Sequence, residues 1–240
     1  MSEQHKVYKP KPVSGFPEWL PEYRAVELQW LDKIRAVFES YGFCNIETPS
    51  VEEIDALSAK AGETEKEIYT LTRLQADDGE SKEARLALHF DLTVPMARYV
   101  AQHFGQLVFP FKRYQMQKSW RGERPQKGRY REFYQCDIDV VNIDELPLHF
   151  DAELPAVLFE AYQALGIPPV DLHISNRKIL VGYLNGLGIP ETTIPFLTRE
   201  LDKIDKVGRA QTVATLVTNF KLDGMQDALT LAEKCVNITS

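Results

Sequence analysis

The sequence has few of the residues that mark disulfide-rich, metal-binding or membrane-spanning proteins. Its three cysteines, Cys44, Cys136 and Cys235, are far apart and form no CxxC pair, so neither a disulfide framework nor a zinc site is predicted. No run approaches the ~18 apolar residues that a membrane-spanning helix requires, and the N-terminus shows no apolar targeting segment. We therefore expect a cytoplasmic protein with reduced thiols, without a membrane partner and without a metal held by protein ligands.

An excess of basic residues is also missing. The chain carries 28 Lys and Arg against 35 Asp and Glu, a net charge of -7. This balance excludes a protein whose whole surface binds nucleic acid by neutralising phosphates, so any such contact must be local. With 240 residues, of which 44% are hydrophobic, the chain can form one large domain, or one domain and part of a second.

Apolar residues recur at three- and four-residue steps after Glu18, which predicts a helix that ends at Gly42. The apolar face of this helix consists of Leu20, Tyr23, Val26, Trp30, Leu31, Ile34, Val37, Phe38 and Tyr41. A strand should follow from Phe43 and end at Pro49, because proline cannot donate to a strand ladder. Residues 1–17 are rich in Lys, Pro and Gly and predict an extended arm.

Further elements are predicted on both sides of the middle of the chain. They are a helix over 52–60, a charged turn at 77–79, a strand over 84–91, a helix capped by Asp91 or Thr93, a helix over 150–166, a strand over 170–175, and helices from there to the end with a break near residue 190. This mixture of helices and strands predicts an α+β fold.

The most informative pattern lies between Lys112 and Val141. In the first half, Tyr114, Met116, Lys118 and Trp120 alternate with Arg113, Gln115, Gln117, Ser119 and Arg121. In the second half, Tyr134, Cys136, Ile138 and Val140 alternate with Arg131, Phe133, Gln135, Asp137 and Asp139. Two antiparallel strands with this period would display Arg, Phe, Gln and Asp on one surface. Guanidinium groups can bind phosphate and a ring can stack on a base, although an Arg-rich loop is often only a solvated turn.

Several segments resemble a known family. The run SWRGERPQKGRYREFYQCDIDVV resembles motif 2 of class II aminoacyl-tRNA synthetases, and ERPQKGRYREFYQ is close to the version in histidyl-tRNA synthetases. The segment from Leu20 to Pro49 resembles motif 1, the dimer-forming element of that class. LALHFDLTVPMARYVAQH resembles the segment that lines the histidine pocket, and SNRKILVGYL resembles the start of the insertion domain. The resemblance extends over nearly the whole chain, from about Pro12.

The resemblance implies a class II synthetase-like antiparallel sheet flanked by helices, with a C-terminal helical insertion subdomain. It assigns residues 1–17 to an N-terminal arm, 18–190 to part of the catalytic domain, and 191–240 to the start of the insertion subdomain. It also implies a homodimeric histidine–tRNA ligase that activates histidine with ATP and Mg²⁺ and transfers it to tRNA. The family's signature resembling RGLDYYTG, motif 3 and the anticodon-binding domain would lie beyond Ser240, so we expect a truncated catalytic domain that is inactive alone.

The same resemblance implies roles for individual residues. Arg121 would bind the ATP α-phosphate and the substrate carboxylate, Glu123 would meet the adenine amino group, Arg129 would hold the γ-phosphate, and Phe133 would stack on adenine. Asp91, Thr93 and Gln135 would bind the α-amino group of histidine. Asp139 would face the imidazole, where a carboxylate can accept a ring N–H and favours a protonated ring in a dry pocket.

Simpler interpretations of these residues stay open. Asp91 is also typical of a helix N-cap, Asp137 and Asp139 of a solvated strand edge, and Glu123 of a surface partner for Arg124. The alternative function is that of a synthetase-like regulatory subunit of ATP phosphoribosyltransferase. A subunit that never uses ATP has no physical need for Arg121, Glu123, Arg129 and Phe133 together, which favours the enzyme.

Overall fold

The computed structural model of the chain describes residues 9–61, 66–73, 85–219 and 228–237. Its helices are α1 (Pro21–Ser40), α2 (Ile54–Ala61), α3 (Thr93–His103), α4 (His149–Leu165), α5 (Arg177–Gly186), α6 (Ile194–Leu201), α7 (Ile204–Val207), α8 (Arg209–Asn219) and α9 (Ala228–Asn237). Its strands are β1 (Cys44–Asn45), β2 (Val51–Glu53), β3 (Thr70–Leu71), β4 (Leu86–Leu88), β5 (Phe111–Trp120) and β6 (Glu132–Val141). Contacts divide the chain into two compact units, Met1–Leu172 and His173–Ser240.

The first unit contains a sheet of order β1-β5-β6, in which β1 runs parallel and β6 antiparallel to β5. The apolar face of the β5–β6 hairpin packs against α1 and α4. Their shared core contains Val37, Phe38, Phe43, Tyr114, Val157 and Ala161. Burying apolar side chains of both helices on this face leaves the opposite, polar face of the hairpin free for a site.

A second, antiparallel sheet of order β2-β4-β3 lies in the same unit. Leu57 of α2, Ala87 of β4 and Phe90 form its buried cluster. A bidentate ion pair fixes α3 to this sheet, because Arg98 donates from Nε and Nη2 to the buried carboxylate of Glu52 at 2.7 and 2.8 Å.

The second unit is helical within its described residues. The core of this unit combines Leu184, Ile189, Ile194, Leu197, Leu201, Leu216, Ala232, Cys235 and Val236. Helix α5 begins after Asn176, whose side-chain oxygen accepts a hydrogen bond from the backbone N–H of Lys178 at 2.9 Å. None of the described helices is both long and apolar enough to cross a membrane.

Several predicted elements are confirmed, with shifts at their ends. The long first helix, the hairpin, the helix after residue 149 and the helical C-terminal region are present. Gly42 and Gly166 lie at the ends of α1 and α4 with φ of 78° and 69°, the left-handed region that favours glycine. The expected helix over 52–60 begins at Ile54, because Glu52 and Glu53 pair with β4 instead.

Other predictions were wrong. The strand expected from Phe43 to Pro49 is split, since only Cys44 and Asn45 pair with β5 and the chain joins the other sheet at Val51. The strand expected over 84–91 is confined to Leu86–Leu88. Residues 170–175 form no strand, because an alternating apolar pattern also needs a neighbouring strand and none of the described strands pairs with it. The turn expected at 77–79 lies outside the described residues.

The two units divide at residue 172, ahead of the break expected near residue 190. Residues 173–189 therefore pack with the helical unit, as the burial of Leu184 and Ile189 in its core indicates. The assignment of residues 1–17, 18–190 and 191–240 to domains of a whole protein stays a prediction.

Arg98→Met should destabilise the chain by about 2 to 4 kcal/mol, because it leaves the Glu52 carboxylate buried without its partner. Urea unfolding measures this as a lower midpoint with an unchanged slope. The matched control is Arg35→Met, which removes an exposed pair with Asp32 and should change stability by less than about 0.5 kcal/mol. Equal losses in the two variants would contradict a stabilising role for the Glu52–Arg98 pair.

Candidate functional site

The polar face of the β5–β6 hairpin gathers most of the candidate residues in one ladder. Its directly opposed pairs are Arg113 with Asp139, Gln115 with Asp137, Gln117 with Gln135, and Ser119 with Phe133. The alternation predicted from the sequence is therefore confirmed along both strands. At ~3.4 Å per residue, Phe133 and Asp139 lie roughly 20 Å apart along β6.

The β5 side of this face is closed by the segment before β2. Gln115 is fully buried and donates from Nε2 to Thr48 Oγ1 at 2.9 Å, while Gln117 donates to the Thr48 carbonyl oxygen at 2.8 Å. On the β6 side, Gln135, Asp137 and Asp139 are only half-buried. Gln135 Oε1 is a buried acceptor without a hydrogen-bond partner in the described structure, so it can accept from a bound ligand.

The end of the hairpin is fixed by the segment that follows β4. His89 is fully buried, and its Nε2 donates to the Lys118 carbonyl oxygen at 2.7 Å, since a carbonyl can only accept. The backbone N–H of Trp120 donates to the His89 carbonyl oxygen at 3.1 Å. These two bonds set the position of Asp91, which lies two residues beyond His89.

Arg121 and Phe133 meet at the open end of the ladder. The guanidinium carbon of Arg121 lies 5.1 Å from the centroid of the Phe133 ring, and Arg121 Nε donates to the Phe90 carbonyl oxygen at 3.0 Å. A cation beside an aromatic face is the pairing needed to hold a phosphate and a base at neighbouring points.

The loop between β5 and β6 carries the remaining candidates for nucleotide binding. Arg129 Nη1 lies 2.8 Å from Glu123 Oε2, so Glu123 pairs with Arg129, in contrast to the open alternative of Arg124. Burial raises the pKa of Glu67, and the adjacent charge of Glu123 raises it further. A cleft of about 590 Å³ is lined by Glu67, Glu123, Arg124, Pro125, Gln126 and Arg129.

The described part of the N-terminal arm packs on this loop. Arg131 donates from its backbone N–H to the Gly15 carbonyl oxygen at 2.7 Å and from Nη1 to that of Ser14 at 3.3 Å. Gly15 has φ of 85°, and a Cβ there would lie 2.8 Å from Pro125 Cγ, so only glycine fits. The arm thus supports the loop, a role that its composition did not predict.

Asp91 and Thr93 lie at the start of α3. Asp91 Oδ1 accepts a hydrogen bond from the backbone N–H of Val94 at 3.2 Å, so the Asp91 carboxylate caps the first turn of α3. A carboxylate can accept several hydrogen bonds, and capping leaves capacity for a ligand. Thr93 is the first residue of α3 and is exposed.

The far end of the ladder is a half-buried charged cluster. Arg113 has no exposed surface and forms an ion pair with Asp139. Burial raises the pKa of Asp139, an effect that Arg113 opposes and Asp91 reinforces. Burial likewise raises the pKa of Asp137, which Arg113 and Arg121 oppose. Asp137 and Asp139 are therefore not the solvated strand edge that the residues alone left open.

Two residues have roles in the site that the sequence did not predict. Arg113 lies on the polar face by simple alternation, but nothing in its surroundings along the chain indicated full burial beside Asp139. Glu67 reaches the loop because its carbonyl oxygen accepts from the backbone N–H of Gly122 at 2.7 Å. Contacts between residues so far apart in sequence leave no local signal.

Comparison with known proteins supports one family. The profile of the histidyl-tRNA synthetase family matches residues 15–237. The histidine–tRNA ligase of Thermobifida fusca is 58% identical over 235 residues, which are 97% of this chain and 53% of that protein. That of Cutibacterium acnes is 46% identical over 236 residues, which are 96% of this chain and 50% of that protein. The chain spans about half the length of the curated relatives it matches.

Solved structures agree on the fold. The crystal structure of a histidyl-tRNA synthetase from Nostoc matches with a TM-score of 0.69 and 39% identity, covering 92% of this chain and 47% of that one. A Bacillus halodurans structure, described as an ATP phosphoribosyltransferase regulatory subunit/histidyl-tRNA synthetase, matches with a TM-score of 0.71 over 97% of this chain and 56% of its own. At 18% identity the latter shows the fold alone. The expected α+β fold of the class II synthetases is confirmed, and the chain belongs to the histidyl-tRNA synthetase family.

Proposed function

We propose that this chain forms part of a histidine–tRNA ligase, which joins histidine to tRNA(His) at the expense of ATP. The observation that carries the proposal is the single polar face on which Phe133, Gln135 and Asp139 follow one another along β6, with Arg121 beside the Phe133 ring. Groups suited to a nucleotide lie at one end of this face, and groups suited to a cationic or N–H-bearing ligand lie at the other. Relatives up to 58% identical that bear this name support the assignment.

ATP would bind at the loop end of the ladder. Phe133 would stack on adenine, Glu123 would accept from its amino group, and Arg129 would hold the γ-phosphate. Arg129 is paired with Glu123, so nucleotide binding would exchange that ion pair for contacts with the phosphate and the base. Arg121 would bind the α-phosphate together with the substrate carboxylate.

Magnesium would accompany the nucleotide. Within the described residues no group of three or more His, Cys, Asp or Glu side chains is placed to hold a metal ion. The half-buried carboxylate of Glu67 is a hard oxygen donor in the same cleft as Arg129, and Mg²⁺ favours such donors together with water and substrate phosphates. When bound, the ion would neutralise phosphate charge.

Histidine would bind at the half-buried end. Its α-ammonium group would donate to Asp91, Thr93 and Gln135, and the unpartnered Oε1 of Gln135 supports this placement. Its ring would face Asp139. The acidic surroundings suit a substrate that carries a positive α-amino group.

The chemistry needs no protein nucleophile. A carboxylate oxygen of histidine would attack the α-phosphorus of ATP, forming a new P–O bond as the bond to pyrophosphate breaks. Arg121 would stabilise the negative charge that builds on the α-phosphate, and the ladder would hold the two reactants in line. A hydroxyl of the tRNA would then take the histidyl group and release AMP. A regulatory subunit that uses no ATP would not need a nucleotide site, so we prefer the enzyme on the basis of Arg121, Glu123, Arg129 and Phe133.

We infer that the working protein is a homodimer in the cytoplasm, where its tRNA and ATP are found. Residues of α1 and the segment before it bear large exposed apolar side chains, with Leu20 62%, Tyr23 60%, Val26 48% and Trp30 43% exposed. The sequence predicted that these side chains belong to one apolar face of the first helix. Of that face, only Val37 and Phe38 are buried within this chain. A second copy would cover it, and an obligate interface buries roughly 2,000 Å² or more.

In the full-length protein that carries this chain, Arg121→Ala should reduce histidine-dependent pyrophosphate exchange by roughly 10²-fold or more, the loss typical of one charge-stabilising donor. Lys203→Ala, at an exposed ion pair of the helical unit, is the control and should keep the wild-type rate. An unchanged rate in Arg121→Ala would remove this residue from the mechanism.

Asp139→Ala should lower kcat/KM for histidine by about 10²- to 10⁴-fold, since a site built around a hydrogen bond loses most when that bond is missing. KM for ATP should stay within a factor of about three, because the nucleotide groups lie at the other end of the ladder. Steady-state exchange with each substrate varied in turn separates the two constants. If histidine use is unchanged, recognition of the ring lies elsewhere.

Light scattering at micromolar concentration should give the mass of a dimer, and Trp30→Glu should shift it towards the monomer, because a charge would then lie in the apolar contact. The control is Leu158→Glu on α4, which is 43% exposed like Trp30 but lies outside the proposed interface. A monomer mass for the wild type would reject the dimer.

A further inference from the structure

Arg113 is an unusual residue for the middle of a strand. Its side chain has no exposed surface, and a buried charge is costly unless it is paired. Its neutral contacts are long, 3.5 Å from Nη2 to the Leu92 carbonyl oxygen and 3.4 Å from Nη1 to Gln115 Oε1. Its Nε has no hydrogen-bond partner in the described structure. The close partner is the carboxylate of Asp139, directly opposite on β6.

Asp139 is also the residue proposed to face the imidazole of the substrate. We propose that Arg113 is a positioning residue for histidine recognition, which holds Asp139 as an oriented, ionised carboxylate that accepts the N–H of a neutral imidazole ring. This inference rests on the proposed function and deepens it. It replaces the expectation from sequence that Asp139 favours a protonated ring in a dry pocket, because that expectation did not include a buried cation beside the carboxylate.

The charges around Asp139 supply the physical reason. The groups that face it are Arg113 on β5, Asp137 on its own strand and Asp91 ahead of α3, with Arg121 farther along the ladder. Burial and the charge of Asp91 both raise the pKa of Asp139, whereas Arg113 lowers it. Without Arg113, the negative charges of Asp91, Asp137 and Asp139 would lie together at this half-buried end without a neighbouring cation. Asp139 would then take up a proton more readily.

The consequence for the substrate is a choice of protonation state. An ionised Asp139 that is already balanced by Arg113 gains little from a second positive charge, and a neutral ring can donate its N–H to the free lone pairs. An Asp139 without Arg113 would bind histidine best when a proton enters with it, shared between the carboxyl and the ring. Burial lowers the pKa of Arg113, but a guanidinium still remains charged at neutral pH, so the compensation is permanent.

The coupling can be tested in this chain without any substrate. Carbon-13 NMR follows the titration of the Asp139 carboxyl, assigned by its loss in Asp139→Asn, in the wild type, Arg113→Lys and Arg113→Gln. We expect the Asp139 midpoint to move to higher pH in Arg113→Gln and to stay near the wild-type value in Arg113→Lys, which keeps the charge. The carboxyl resonance of exposed Asp151 is the internal control and should be unaffected by either substitution.

Two results would overturn the proposal. An Asp139 midpoint that is the same in all three proteins would show no coupling, and equal shifts in the Lys and Gln variants would show that Arg113 acts by shape and not by charge. Arg113→Met is the second neutral variant, which fills the buried site with an apolar chain should the Gln variant not fold.

Substrate choice gives the second readout. In the full-length protein, kcat/KM for histidine is compared with that for 1,2,4-triazole-3-alanine, whose ring keeps an N–H but stays neutral at neutral pH. The wild type should show no fall in histidine use between pH 7 and 8.5. In Arg113→Gln, kcat/KM for histidine should fall by up to about tenfold per pH unit over the same range. The kcat/KM of this variant for the triazole should be lower than that for histidine by about tenfold or more.

The two experiments separate the possible failures. A wild-type protein that uses neither amino acid would refute the proposed function, while the NMR titration would still decide whether Arg113 controls Asp139. A wild type that uses histidine, with the same ratio of histidine to triazole in Arg113→Gln at every pH, would reject the inference and leave the function standing.

Discussion

The antiparallel pairing of β5 with β6 in a single register is the constraint on which the site depends. Ten residues of each strand are paired, from Phe111 with Val141 to Trp120 with Glu132. Side chains alternate between the two faces, so a slip of β6 by one residue would send Gln135 and Asp139 into the core and bring apolar residues of β6 to the site. The apolar side, packed on α1 and α4, prevents that slip, because burial of Tyr114 and its neighbours would be lost.

This arrangement explains how so much charge is tolerated near the core. The helices cover one face, and the segment from Thr48 to Ser50 covers the β5 side of the other through hydrogen bonds to Gln115 and Gln117. What remains open is the β6 side, where three half-buried polar residues lie between Arg121 at one end and Arg113 at the other. A ligand there meets fixed dipoles and charges that water does not fully screen, which is the condition under which electrostatic recognition is strong.

Segments far from the hairpin in sequence complete the site through the backbone. His89, after β4, bonds to the C-terminal end of β5, and the arm before α1 bonds to Arg131 in the loop. Backbone acceptors do not depend on the side chain that bears them, so such contacts are invisible in the sequence. They explain why Ser14, Gly15 and Glu67 support a site whose recognisable residues all lie elsewhere.

The sequence by itself determined the elements with strong, repeated patterns. The period of two in β5 and β6 assigned Arg121, Phe133, Gln135 and Asp139 to one face, and the spacing of apolar residues located α1. Tertiary structure alone decided which half of the apolar face of α1 is buried, that residues 170–175 form no strand, and that the strand after Phe43 divides between two sheets. It also decided that Arg113 is buried against Asp139, since burial and pairing depend on segments brought together across the fold, whereas periodicity records only how neighbours along the chain alternate.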